Sequence, residues 1–187
     1  MVEALSDNYT EIVVLCEGKQ DEVFIRRFLT GNGVHRHRVR VRPYPAGQGS
    51  GSQFVQEEYS REVFEHRRRA NRMNIALIVM QDCDTRTIDE RRTKLEQSAA
   101  REPNERIALL FPKRNIETWI RFLTDGEPVD ETQRYPRLRG RESECHAAAD
   151  RLASKDEYRL TPDVPDSLRA ACAEVQRIFP AKRCVQA

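Results

Sequence analysis

Ile12–Glu22 reads IVVLCEGKQDE. Four apolar residues, three of them β-branched, run into Cys16, Glu17 and Gly18, and two more acids follow at Asp21 and Glu22. An unbroken apolar run of this length suits a strand buried on both faces, as in a parallel sheet with helices above and below. Two other stretches read the same way, Ile75–Met80 (IALIVM) and Ile107–Phe111 (IALLF). Glu11–Cys16 is therefore expected as the first of several parallel strands.

Helical patterns fill the intervals. Phe24, Ile25, Phe28 and Leu29 share one side of a segment that ends at Gly31, a candidate C′ residue. Val55, Tyr59 and Val63 repeat along residues 50–69, with Ser52 as candidate N-cap. Thr87 and Glu90 have the spacing of a capping box, followed by Leu95 and Ala99. Asn115 is a candidate N-cap before a stripe of Ile116, Trp119, Ile120 and Leu123. The order is β-α-β-α-β-α-β-α, which implies right-handed crossovers and a parallel sheet. The second strand, Arg36–Tyr44, places Arg36, Arg38, Arg40 and Arg42 on one parity and Val39 and Val41 on the other. A face of four arginines cannot lie under a helix core, so this strand belongs at an edge. The predicted order is 2-1-3-4, in an α/β, Rossmann-like four-stranded sheet with helices on both faces.

After Leu123 the chain becomes polar and turn-rich, and two helix candidates follow, Ser143–Ser154 and Asp166–Phe179. Residues 8–123 are expected to form one α/β domain. Residues 124–187 are expected to be a linker and a helical extension packed on the core or on a partner.

Composition sets limits. No apolar run approaches the ~20 residues of a membrane span, so no membrane role is expected. The first residues lack a basic-then-apolar signal pattern, and the five cysteines are odd in number with no CxxC, which together suggest the cytoplasm. His35, His37, His66 and His146 show no metal-ligand spacing. A net charge of +2, from 32 basic and 30 acidic residues, assigns no polyanionic partner. Arg-rich runs at 34–42 and 65–72 fit either solvated faces or contact with nucleic acid. PAGQGSGSQ (45–53) fits a flexible loop or a backbone cradle for phosphate.

In a doubly wound sheet, ligands bind beyond the carboxyl ends of the strands where the order reverses, here between the first and third strands. Glu17 ends one of these strands; Asp82 and Asp84, in QDCD, end the other. Three converging carboxylates would raise one another's pKa, and a divalent cation removes that conflict.

Glu17-Gly18 after the first strand and Asp82-x-Asp84 after the third resemble the two motifs of the TOPRIM domain of topoisomerases, primases and OLD-type nucleases. The resemblance covers Glu11 to Leu123 and implies Mg²⁺-dependent chemistry, with Mn²⁺ as a substitute, on the phosphodiesters of DNA or RNA. It gives Glu17, Asp82 and Asp84 the catalytic and metal-binding positions. In the nucleases a further acid helps hold a second metal; Asp21 and Glu117 are the candidates here. Two ions about 4 Å apart would clamp the attacking water and the leaving oxygen. Lys113 or Arg114 would offset transition-state charge, and Arg36, Arg38, Arg40, Arg42 and Arg114 would contact nucleic acid. Asp21 and Glu117 also fit the ordinary role of first-turn acids, and Lys113 that of a solvated loop residue.

The size resembles small stand-alone TOPRIM nucleases, both ribosomal RNA maturases and effectors paired with a separate ATPase in bacterial antiphage systems. The chain has no GxxxxGK[ST], so such an ATPase would be another chain. A homo-oligomer is compatible. Two rivals stand beside this reading. Asp82-x-Asp84-x resembles the nucleophile loop of haloacid-dehalogenase-type phosphatases, although that family carries it on the first strand. The core could also be a non-catalytic partner module.

Overall fold

Strands β1 (Glu11–Cys16), β2 (Val39–Val41), β3 (Ile75–Met80) and β4 (Ile107–Leu110) form one all-parallel sheet in the order β2-β1-β3-β4. The computed structural model describes residues 9–44, 50–154, 159–160, 163–180 and 185–186, with 159–160 and 185–186 as backbone only. Cys16 stands opposite Met80, and Met80 opposite Leu110. Three strands therefore end level, and the residues that follow them leave the sheet along one rim.

Strand alternation sorts the core into two layers. Ile12, Val14, Ala76, Ile78 and Leu110 face α1 (Lys19–Gly31), α4 (Glu117–Asp125), α5 (His146–Ala153) and α6 (Asp166–Ile178). Val13, Leu15, Leu77, Val79 and Leu109 face α2 (Gly51–Ala70) and α3 (Ile88–Glu96). Helices on both faces explain why these strands read as continuous apolar runs. The stripe of Ile116, Trp119, Ile120 and Leu123 is buried, and Trp119 Nε1 donates to Ser167 Oγ (2.7 Å), tying α4 to α6. A wholly buried side chain of this size contributes about 1.5–3 kcal/mol.

The C-terminal helices belong to this core. Helix α5, preceded by a 3₁₀ turn at Glu142–Cys145, packs on α1 and α4; α6 packs along β4. On the outer edge of β4, Glu174 of α6 accepts the Leu109 N–H (3.0 Å), and Arg101 donates to the Ile107 carbonyl (3.1 Å) and to Glu174 (2.5 Å). A second sheet of two short parallel strands, β5 (Arg159–Leu160) and β6 (Val185–Gln186), completes the described residues. Among those residues, no helix is long and apolar enough to cross a membrane.

Four local expectations are corrected. First, β2 is three residues long, and Arg36–Arg38 forms a 3₁₀ turn. β1 begins at Glu11, one residue before its partner pair Ile12–Val39, so no β1 residue stands opposite Arg36 or His37. The four arginines therefore share no strand face. Second, the N-cap of α2 is Ser50, whose hydroxyl accepts the Gln53 N–H, and not Ser52. Third, Asn115 does not cap α4. It is buried, and its Nδ2 donates to the Tyr135 carbonyl (2.9 Å). Fourth, the left-handed residue after α1 is Gly33 (φ 83°); Gly31 ends the helix close against Ala153 of α5.

Candidate active site

Four carboxylates reach one crevice from three separate stretches of the chain. Glu17 leaves β1, Asp21 lies in the first turn of α1, Asp82 lies two residues beyond β3, and Glu117 opens α4. Together with Gly18, Gly51 and Arg137 they line a cavity of about 210 Å³ at the carboxyl rim of the sheet. Asp21, Asp82 and Glu117 are only 5–7% exposed. Buried ionisable groups without countercharge are costly, so such a cluster needs a chemical reason.

The N-terminal end of α2 holds Glu17 in place. A Cβ on Gly51 would lie 2.3 Å from the Glu17 carbonyl oxygen and 2.9 Å from its Cβ, so only glycine lets the helix approach so closely. Ser52 Oγ accepts bonds from Gln81 Nε2 (2.8 Å) and Arg91 Nη1 (3.1 Å), and its hydroxyl, beside the Glu17 carboxylate, favours the charged form of that acid. Gly18, by contrast, uses no glycine-only conformation here. Its φ of −173° is ordinary extended backbone, and an added Cβ would meet nothing within 4 Å.

Asp84 sits at the border. Its φ is 53°, and it forms an isolated antiparallel bridge with Arg114, whose φ is 63°. Left-handed geometry costs a non-glycine residue roughly 1–2 kcal/mol. Here it turns the Asp84 carboxylate towards Arg91 Nη2 (2.9 Å), a buried guanidinium that also donates to the Cys83 carbonyl (3.3 Å).

The acids perturb one another. Burial, then the charge of Asp84, pushes Glu17 up to about 7, opposed by Arg91, Ser52 and Arg137. Burial, then Glu17 and Glu117, pushes Asp21 up to about 8, opposed by the nearby backbone of Glu17 and Gly18. Asp82 is raised well above the usual carboxylate range by burial and by Asp21, Glu17, Glu117 and Asp84. Burial also raises Glu117, opposed by its own N–H, Arg137 and the Leu138 N–H. Buried Glu17 Oε1 and Asp82 Oδ1 have no hydrogen-bond partner among the described residues.

This donor set fits a hard divalent cation: carboxylate oxygens only, mutually repelling, with unpartnered lone pairs. Among the described residues, however, no group of three His, Cys, Asp or Glu side chains stands arranged to hold an ion. The acids share one crevice without being gathered into a coordination shell.

Of the residues predicted from sequence, Glu17, Asp21, Asp82 and Glu117 come together, and Asp84 lies beside them. Lys113 and Arg114 do not line the crevice; the Lys113 carbonyl takes the Thr118 hydroxyl (3.1 Å). Arg40 pairs with Glu11 (2.9 Å) and Arg42 with Glu62 (2.7 Å), on the β2 flank of the sheet. The proposed phosphate cradle at residues 45–49 lies outside the described residues, while Ser50–Ser52 act in the support of Glu17. Sequence reading missed Arg91, Ser52, Gly51 and Arg137. The repeated arginines of Arg134–Arg141, in a stretch read as linker, were the visible signal for the last of these.

No protein-family model, curated protein or solved structure gives a significant match to the chain.

Proposed function

We propose that the protein is a Mg²⁺-dependent nuclease of the TOPRIM kind, hydrolysing phosphodiester bonds of DNA or RNA. The observation that supports this is the convergence of four carboxylates, from three chain segments, into one crevice at the switch point of the sheet. Glu17, Asp21, Asp82 and Glu117 would hold the metal, with Asp84 at the border. A divalent ion there would lower the pKa of a bound water and take up charge on the phosphate.

The chain's own residues do the rest. Ser52 and Gly51 fix Glu17, Arg91 fixes Asp84, and Arg137 places positive charge on the crevice wall. A separate ATPase enters this reading through the resemblance to antiphage effectors, and co-purification of the two chains tests it.

Labelled DNA and RNA incubated with purified protein in Mg²⁺ or Mn²⁺ decide the matter, beside an Asp82→Ala/Asp84→Ala variant. Cleavage is expected from the native protein and a loss of at least ~100-fold from the variant, the scale of removing a group that stabilises transition-state charge. Equal cleavage by both proteins would overturn the assignment.

A further inference from the structure

We infer that the segment Arg134–Arg139 is a phosphate clamp, gripping the nucleic-acid backbone beside the bond that the crevice cleaves. The inference rests on the nuclease reading above and adds how substrate is held. An acidic crevice repels a polyanion, so a nuclease of this design needs positive charge close to, but outside, its carboxylates. Arg36–Arg42 do not supply it, since they lie on the β2 flank, with Arg40 and Arg42 engaged by acids.

The segment RYPRLR does. It is fixed in place by specific contacts. The Asn115 side chain donates to the Tyr135 carbonyl (2.9 Å), the Asp130 N–H donates to the Tyr135 hydroxyl (3.0 Å), and Leu138 lines the carboxylate crevice beside Glu117. Arg121 stacks on the Tyr135 ring at 5.0 Å. Farther along, Gln20 of α1 donates to the Glu142 carbonyl (3.3 Å). A merely solvated linker needs none of these.

Two of its guanidiniums are free to act. Arg137 and Arg139 are exposed and line both the carboxylate crevice and an outer recess of about 450 Å³ that they share with Arg134 and Tyr135. Among the described residues neither forms an ion pair, whereas exposed Arg27, Arg67 and Arg68 on other faces each pair with an acid. Arg134 stands 4.0 Å from Asp84. Charge balance within the carboxylate cluster accounts for Arg137, which acts on Glu17 and Glu117, but not for Arg139. A guanidinium pairs with phosphate in bidentate fashion. A row of them leading from the outer recess to the carboxylates would set a strand along the crevice.

Binding of fluorescent single-stranded and duplex oligonucleotides, with Ca²⁺ in place of Mg²⁺, is measured by anisotropy over a range of salt for native protein and Arg137→Ala/Arg139→Ala. Each phosphate contact contributes about 0.7 to the slope of log K against log salt for a single strand and about 0.9 for a duplex. Losing two contacts should flatten the slope by about 1.4 or 1.8 and weaken binding at least ~10-fold at low salt. Arg137→Lys/Arg139→Lys should keep most of the slope, since charge sets it.

An unchanged slope in the alanine variant overturns the clamp, as does a lowered melting temperature with no change in slope, which would leave these arginines a structural role only. Failure of native protein to bind either oligonucleotide also overturns it. Mg²⁺-dependent cleavage by native protein but not by Asp82→Ala is scored separately, so a failed clamp and a failed nuclease give different results.

Discussion

Asp21 is 5% exposed, and its carboxyl sits in the fields of Glu17 and Glu117. Its pKa is raised to about 8 in the folded protein, against roughly 3.9 when unfolded. A raised carboxyl contributes stability that is fully present below the unfolded value and is lost as pH climbs through the folded one. Metal-free protein should therefore lose stability from about pH 4 to pH 8 on account of Asp21, with Glu17 acting in the same direction up to about 7. Asp21→Asn is expected to flatten this decline, melting several degrees above native protein at pH 8 in chelator, and to reduce the stabilisation gained from Mg²⁺. Melting curves with chelator and with Mg²⁺ at both ends of this range check it; parallel pH profiles for the two proteins would refute it. The two glycines make a second prediction. Gly51→Ala drives a Cβ into the Glu17 backbone, so it should cost about 1–3 kcal/mol and lower cleavage, even though alanine is the better helix former. Gly18→Ala meets open space and should change stability by less than about 0.5 kcal/mol. Chemical denaturation of both variants separates these outcomes.

Helix α6 is tied to the sheet through a buried cluster rather than by apolar contact alone. Glu174→Ala would leave Arg101 with Glu96 as its remaining carboxylate partner and the Leu109 N–H unbonded, at an expected cost of about 1–3 kcal/mol, read from denaturant unfolding. A value below about 1 kcal/mol would show that Glu96, which also accepts from Arg101 (2.7 Å), suffices. Element scale is also where the sequence was most readable. β1, β3 and β4 are apolar throughout because helices cover both their faces, and a pattern with that cause is local. β2 was overextended because its length depends on how much of β1 stands opposite, a fact stored elsewhere in the chain. Asn115 looked like a cap because a polar residue before an apolar stripe is a capping signal. Its partner, the Tyr135 carbonyl, lies in a stretch with no periodicity to announce it. Glu17, Asp82 and Asp84 were legible because strand ends are legible. Arg91 and Ser52 were not, since each looks like any surface residue of its helix until the helices are placed side by side.

The whole molecule shares one core across the boundary that a change in composition suggests after Leu123. Residues of α5 and α6, among them Ala148, Leu152, Leu168 and Val175, pack with the β1, β3 and β4 residues of the same layer. Removing residues 124–187 would uncover that layer and discard the arginine segment at the crevice. The truncated chain is expected to aggregate, as gel filtration of the purified fragment would show; a monodisperse fragment with a cooperative melt would contradict this. The arrangement along β4 has a further consequence. The outward Leu109 donor and Ile107 acceptor, which would let a foreign strand extend the sheet, are already occupied by Glu174 and Arg101. A visiting peptide would have to displace two buried charged groups to zip onto this edge, so β-augmentation and fibril-like stacking are closed off on the β4 side of the sheet.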